Sequence, residues 1–136
     1  MSSMAADTDP GLDPAADPAE DPAVDAAVRA YVAAIPSHHR ELYDRVHRLV
    51  LEAHPRATTA MSYSMPSYVV GGSRLHVGAW KHGLSFYGWT EGRDAGFAAR
   101  HPDLVGSKGT LRLPPEAAER IDDDELRDFF HATLAD

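Results

Sequence analysis

From Thr58 to Trp89 the chain alternates with a period of two, and turn-forming residues interrupt it at definite places. Ala60, Ser62 and Ser64 alternate with Thr59, Met61 and Tyr63. Leu75, Val77 and Ala79 alternate with His76, Gly78 and Trp80, and Leu84, Phe86 and Gly88 with Ser85, Tyr87 and Trp89. A period of two sends successive side chains to opposite faces of a strand, so this stretch reads as sheet and not as helix. Gly71-Gly72-Ser73 supplies the positive φ angles of a tight hairpin between a strand at Tyr68 to Val70 and the next, and Lys81-His82-Gly83 makes another turn. Pro66, without an N–H to give, marks a turn or an edge. The pattern is an antiparallel meander with one apolar face and one face bearing His76, Trp80, Ser85, Tyr87 and Trp89.

Charge follows the same boundary. Residues 53–90 contain no Asp or Glu, although 25% of the chain is charged, and they keep Arg56, Arg74, Lys81, His54, His76 and His82. The polar face of the sheet is therefore neutral to positive. Residues 1–22 hold six acids and no base, which leaves 15 acids against 13 bases for residues 23–136 out of a total net charge of -8. A nearly neutral body without a basic stripe is not expected to bind nucleic acid. The absence of cysteine excludes disulfides, thiolate metal sites and cysteine nucleophiles. No basic start followed by an apolar run opens the chain, and no apolar run reaches membrane-spanning length, so a soluble, cytoplasmic protein is expected.

The flanking segments supply helices. Asp-Pro recurs at 9/10, 13/14, 17/18 and 21/22, and such a tail, residues 1–22, cannot be helical and is expected to stay disordered and solvated. Residues 23–136 form a single domain. Asp21 and Pro22 look like the start of a helix to about Ala34, with Val24, Val28, Tyr31, Val32 and Ile35 on one stripe. Ser37 is placed to cap a second helix to His54, burying Leu42, Val46, Leu49, Val50 and Ala53. Glu91 to Arg100 reads as a short helix, Leu104 to Gly109 as loop and Thr110 to Leu113 as a strand ended by prolines. Asp122 and Glu125 form a capping box ahead of Leu126, Phe129, Phe130 and Leu134. The sum is an α+β domain: an antiparallel sheet of about five strands with helices packed on one face.

Pro55, Ser62, Tyr63, Met65, Pro66, Tyr68, Lys81 and Tyr87, followed by Ser107, Lys108, Gly109 and Thr110, form a pattern that resembles the bacterial YdhG-like domain family over roughly residues 24–134. That family is a domain of unknown function, some of whose members are described as frataxin-like intracellular iron chaperones. The resemblance implies a YdhG-like or frataxin-like fold, carriage of iron and a protein acceptor. This chain departs from the pattern at Thr58 and Thr59, where relatives carry Glu, and at Gly83, where they often carry His.

Three groups of residues deserve weighing. Asp122, Asp123, Asp124, Glu125 and Asp128 are the densest acids of the folded part, where hard oxygen ligands for an exchangeable iron are to be sought; as acids at a helix start, they equally cap amides and complement the dipole. His39, His47 and His54 lie along one flank of the second helix, too far apart to share an ion, and read as partly exposed. The sharper constellation is Tyr63, Met65, Pro66, Tyr68, Trp80, Lys81, His82 and Tyr87 with Ser107, Lys108 and Gly109. If the Lys108 loop folds back over the sheet, two ammonium groups and two phenols converge on a carboxylate-free site for a small anionic, phosphate-bearing ligand. No carboxylate pair, nucleophile elbow or metal triad appears, so a non-catalytic binding or carrier protein is expected rather than an enzyme. Its partners would be a small ligand or metal ion.

Overall fold

The computed structural model describes residues 11–106 and 109–135. Five strands, β1 (Thr58–Ser62), β2 (Met65–Val70), β3 (Ser73–Trp80), β4 (Gly83–Tyr87) and β5 (Leu111–Leu113), pair antiparallel in chain order. Among the described residues five α-helices accompany them: α1 (Ala26–Ala33), α2 (Ser37–Ala53), α3 (Phe97–Arg100), α4 (Pro115–Ala118) and α5 (Asp123–Thr133). The α+β architecture read from the sequence is the one observed. No helix among the described residues is long and apolar enough to cross a membrane.

The register divides the sheet residues between two sides. Tyr68 stands opposite Leu75, Val77 opposite Phe86, and Leu84 opposite Leu113. All of these are buried in one core with Leu49 and Val50 of α2 and Leu126, Phe129 and Phe130 of α5. Phe86 meets Phe129 and Phe130 edge-on or tilted, with ring centroids 6.0 and 5.8 Å apart, and Phe97 closes the group 4.9 Å from Phe129. Among the described residues, helices thus back one side of the sheet only.

Several boundaries fall elsewhere than the sequence suggests. The first helix starts at Asp25, whose carboxylate accepts from the amides of Ala27 and Val28, rather than at Asp21. Asp21 is buried and binds the amides of Ala23 and Asp13. Of the Asp-Pro tail, residues 1–10 lie outside the described residues. From Gly11 to Pro22 the chain runs as successive turns, in which Asp13, Asp17 and Asp21 each accept from the amide two residues on. Such Asx turns satisfy the backbone without helix. Leu12 reaches the core, and Asp17 pairs with Arg40 of α2.

Helix α2 begins after Pro36 with no side-chain cap. The helix expected over Glu91 to Arg100 shrinks to α3, because Ala95 and Gly96 take positive φ angles of 57° and 75°. The buried Asp94 carboxylate holds that turn through the amides of Gly96 and Ala98. Helix α4 follows Pro114 where only a strand end was expected.

Asp122 does cap α5, accepting from the Glu125 amide at 2.9 Å. The Glu125 side chain turns away to Arg100 and His101, so only half of the capping box is made. Asp122→Ala should therefore cost about 1 kcal/mol in urea denaturation, as a single lost cap does.

Candidate functional site

The β1–β2 hairpin turns at Tyr63 and Ser64, whose φ angles of 54° and 63° give the twist a two-residue turn needs. Ser62 then pairs with Met65 and Met61 with Pro66, which fixes the parity of β2. Met65 and Ser67 point to the side away from the helices, and Pro66 and Tyr68 to the helical side. Pairing with β3 starts at Ser67, one residue past the proline. A ladder bond that the proline could not donate is not called for.

This parity corrects part of the expected site. Pro66 is buried, and Tyr68 has no exposed surface at all. The Tyr68 hydroxyl lies beneath the sheet, 2.9 Å from Tyr43 Oη and 2.7 Å from His47 Nδ1. Neither residue can meet a ligand on the open side. Trp89 was expected on the open face, but it packs against the core, because Gly88 at φ 93° ends the alternation of β4. His39 and His47, expected to be partly exposed, are buried at 4% and 1% exposure. Each is bound to a partner contributed by the sheet, Lys81 O and Tyr68 Oη.

What remains on the open face is coherent. Ala60, Ser67, His76 and Tyr87 align across four strands, and Gly78, Ser85 and Arg112 across three. The Met65 thioether lies over Gly78, where an added Cβ would meet its sulfur at 3.3 Å. Tyr63, 81% exposed at the hairpin tip, sets its ring edge-on to His76 at 5.2 Å. At the far end the Arg112 guanidinium stacks over Trp80, 5.0 Å from the ring, and His82 meets the same ring edge-on. Arg74 donates to Ser62 Oγ. Burial, with help from the Arg74 charge, lowers the His76 pKa and favours the neutral imidazole.

Ser67 Oγ and His76 Nδ1 are 2.6 Å apart, yet they are not a nucleophile and its base. Ser67 is fully buried, and among the described residues no carboxylate orients the ring. The bond is a cross-strand tie. Lys81 sits exposed in the β3–β4 turn. Ser107 and Lys108 lie outside the described residues, so the expected meeting of Lys81 with Lys108 does too; Gly109 is exposed with φ 73°.

The acids tell a complementary story. Every ion pair among the described residues lies in the helices, beside them or in the Asp-Pro turns. Asp123 binds Arg45 and Arg48, and chiefly the Arg45 bond holds its pKa below the usual carboxylate range. Burial works to raise the Glu125 pKa, but bonds from Arg100 and His101 outweigh it and keep it low. Asp124 binds Arg127, and Asp122 caps the helix. Among the described residues no three His, Asp or Glu side chains are arranged to hold a metal ion.

Sequence reasoning found Tyr63, Met65, His76, Trp80, Lys81, His82 and Tyr87 near this face but passed over Ser67, Arg74 and Arg112 as site residues. The alternation Leu-Arg-Leu at 111–113 was the available signal for Arg112. Compared with protein-family models, with curated proteins and with solved structures, the chain matches none.

Proposed function

We propose that this chain is a cytoplasmic binding domain, without turnover of substrate, whose open sheet face takes a small phosphate-bearing ligand. One observation carries the reading: the carboxylates and their arginine partners are gathered in the helical layer and the tail, while Arg74, His76 and Arg112 share a face with no carboxylate among the described residues. The Arg112 guanidinium lies over the Trp80 ring, 5.0 Å from its centroid, where it can still donate to oxyanions, and Tyr63 and Tyr87 add hydroxyls and flat rings around His76 on the same face.

Iron carriage, which the family resemblance implies, draws no such support, since four of the five acids proposed for it are occupied by arginines or by the cap of α5. Isothermal titration with phenyl phosphate checks the reading. The double variant Arg74→Gln/Arg112→Gln should bind at least about tenfold more weakly, the loss expected for charge-assisted bonds. Added salt should weaken the unmodified protein in the same direction. Equal affinity of the double variant, or anaerobic uptake of ferrous iron that is abolished by Asp124→Ala, would reject it.

A further inference from the structure

His76 stands in the row that Ala60, Ser67 and Tyr87 form across the open face, and its two ring nitrogens have different surroundings. Nδ1 is 2.6 Å from Ser67 Oγ on β2, whereas Nε2 has no partner among the described residues and is not buried. The helical side of the sheet is packed core, so the solvent that reaches Nε2 is that of the open face. With this face taken as the binding side, as proposed above, we infer that His76 makes the site proton-linked: the bound oxyanion accepts from Nε2–H, the ring takes up a proton as the ligand binds, and affinity therefore rises as pH falls.

The bond to Ser67 fixes where the ring proton lies before a ligand arrives. Ser67 is fully buried, and His76 is the hydrogen-bond partner of its hydroxyl. That O–H finds an acceptor only if Nδ1 offers a lone pair, which puts the proton of the neutral ring on Nε2. A serine hydroxyl also accepts, so on protonation the same bond is kept with its direction reversed, Nδ1–H donating to Ser67 Oγ. The reversed bond leaves the Ser67 O–H without an acceptor. Burial first, and then the Arg74 charge, hold the His76 pKa below its usual value of 6.5, so without a ligand the ring is kept neutral.

The neighbours of the ring decide the sign of the linkage. Tyr63 at the hairpin tip sets its ring edge-on at 5.2 Å, β4 places Tyr87 directly opposite, β2 supplies Ser67, and β3 itself adds Arg74. The full charge among these groups is that of Arg74, and it is positive. No Asp or Glu occurs in residues 53–90, and no carboxylate acts on His76. An oxyanion beside the ring thus brings a negative charge where none stood, and an opposite charge nearby favours the imidazolium. Linkage is reciprocal: the factor by which the anion strengthens proton binding is the factor by which the proton strengthens anion binding. Because the free ring titrates below 6.5, the gain develops as pH falls through that value and fades above it.

Phenyl sulfate tests the linkage, because its single charge is fixed over this range, whereas a phosphate ester has an ionisation of its own at about pH 6. Isothermal titration of the full chain at pH 7.5 and 5.5 and equal ionic strength should show binding at least about threefold tighter at the lower pH. Folded His47, with a pKa of about 4, stays neutral at both. His76→Gln keeps a donor but cannot titrate, so its affinity should be the same at the two pH values. His82→Gln should retain the ratio between them. Independently of any variant, the Cε1–H NMR signal of His76 should titrate at a higher pH with saturating phenyl sulfate than without it. Affinity that does not rise at pH 5.5, or a His76 titration that the ligand leaves in place, would overturn the linkage while the open face stands as the binding side. Absence of saturable binding at either pH would overturn it as well, and phenyl phosphate then decides the open face separately.

Discussion

Gly83→Ala is expected to destabilise the protein by about 3 kcal/mol or more, the upper range for forcing extra volume into a packed site. Gly83 is paired with Trp80 at the start of β4, and its φ is 154°. An added Cβ would stand 2.5 Å from the Leu113 carbonyl oxygen and 2.7 Å from Pro114 Cα, both backbone atoms that cannot swing aside. Gly92 is the control. Its φ of 89° is equally unsuited to alanine, but no atom lies within 4 Å of the added methyl. Gly92→Ala should therefore cost only about 1 kcal/mol of backbone strain. Urea denaturation separates the two through their midpoints at constant slope. Equal losses would mean that β5 and Pro114 do not press on β4 as described.

The second large effect is on pH. His47 is buried beneath the sheet, and burial lowers its pKa from 6.5 to about 4, against a smaller upward pull from Asp21 and Asp17. Within the buried trio, one order of bonds leaves the fewest groups unmet: Tyr43 Oη–H to Tyr68 Oη, and Tyr68 Oη–H to His47 Nδ1. Nδ1 then accepts, and the orphan is Nε2. A folded-state pKa below the unfolded value means that the unfolded chain binds the proton first. The stability contributed by neutral His47 is full above about pH 6.5 and is lost as pH falls from there to about 4, some 3 kcal/mol in all. The low pKa of His76 acts in the same direction. Asp123 and Glu125, both held low, lose their contributions further down, as pH falls below the usual carboxylate range. Denaturation midpoints in His47→Gln should start lower but fall much less between pH 7 and 4. A slope identical to that of the unmodified protein would contradict the buried neutral imidazole.

How far the sequence showed all this depends on which forces were local. Gly71-Gly72 and the alternation around Val77 and Phe86 identify their hairpin and their core side without help, because turn chemistry and strand period are properties of neighbouring residues. Tyr63-Ser64 carries no glycine or asparagine, so nothing local signals its left-handed turn, and Pro66 two residues on was the available mark for a turn or an edge. The assignment of Pro66 and Tyr68 to a ligand came with the motif of the family resemblance, and no local signal opposed it. Trp89 failed for a similar reason at Gly88. The burial of the histidines and the arginine partners of the acids were hidden for a different one: Lys81 O, Tyr68 Oη, Arg45 and Arg48 reach them across the fold, and no local pattern announces a partner 21 to 78 residues away. Asp122 was legible because a cap bonds three residues on.

If the proposed function is right, ligand meets the protein on the carboxylate-free side of the sheet. Residue-resolved NMR of the ¹⁵N-labelled chain titrated with phenyl phosphate tests it most directly. Saturable shifts are expected across His76, Ser85, Tyr87 and Arg112, with none centred on α5. Shifts confined to Asp122 through Asp128, or an open face that stays unperturbed to saturation, would contradict it.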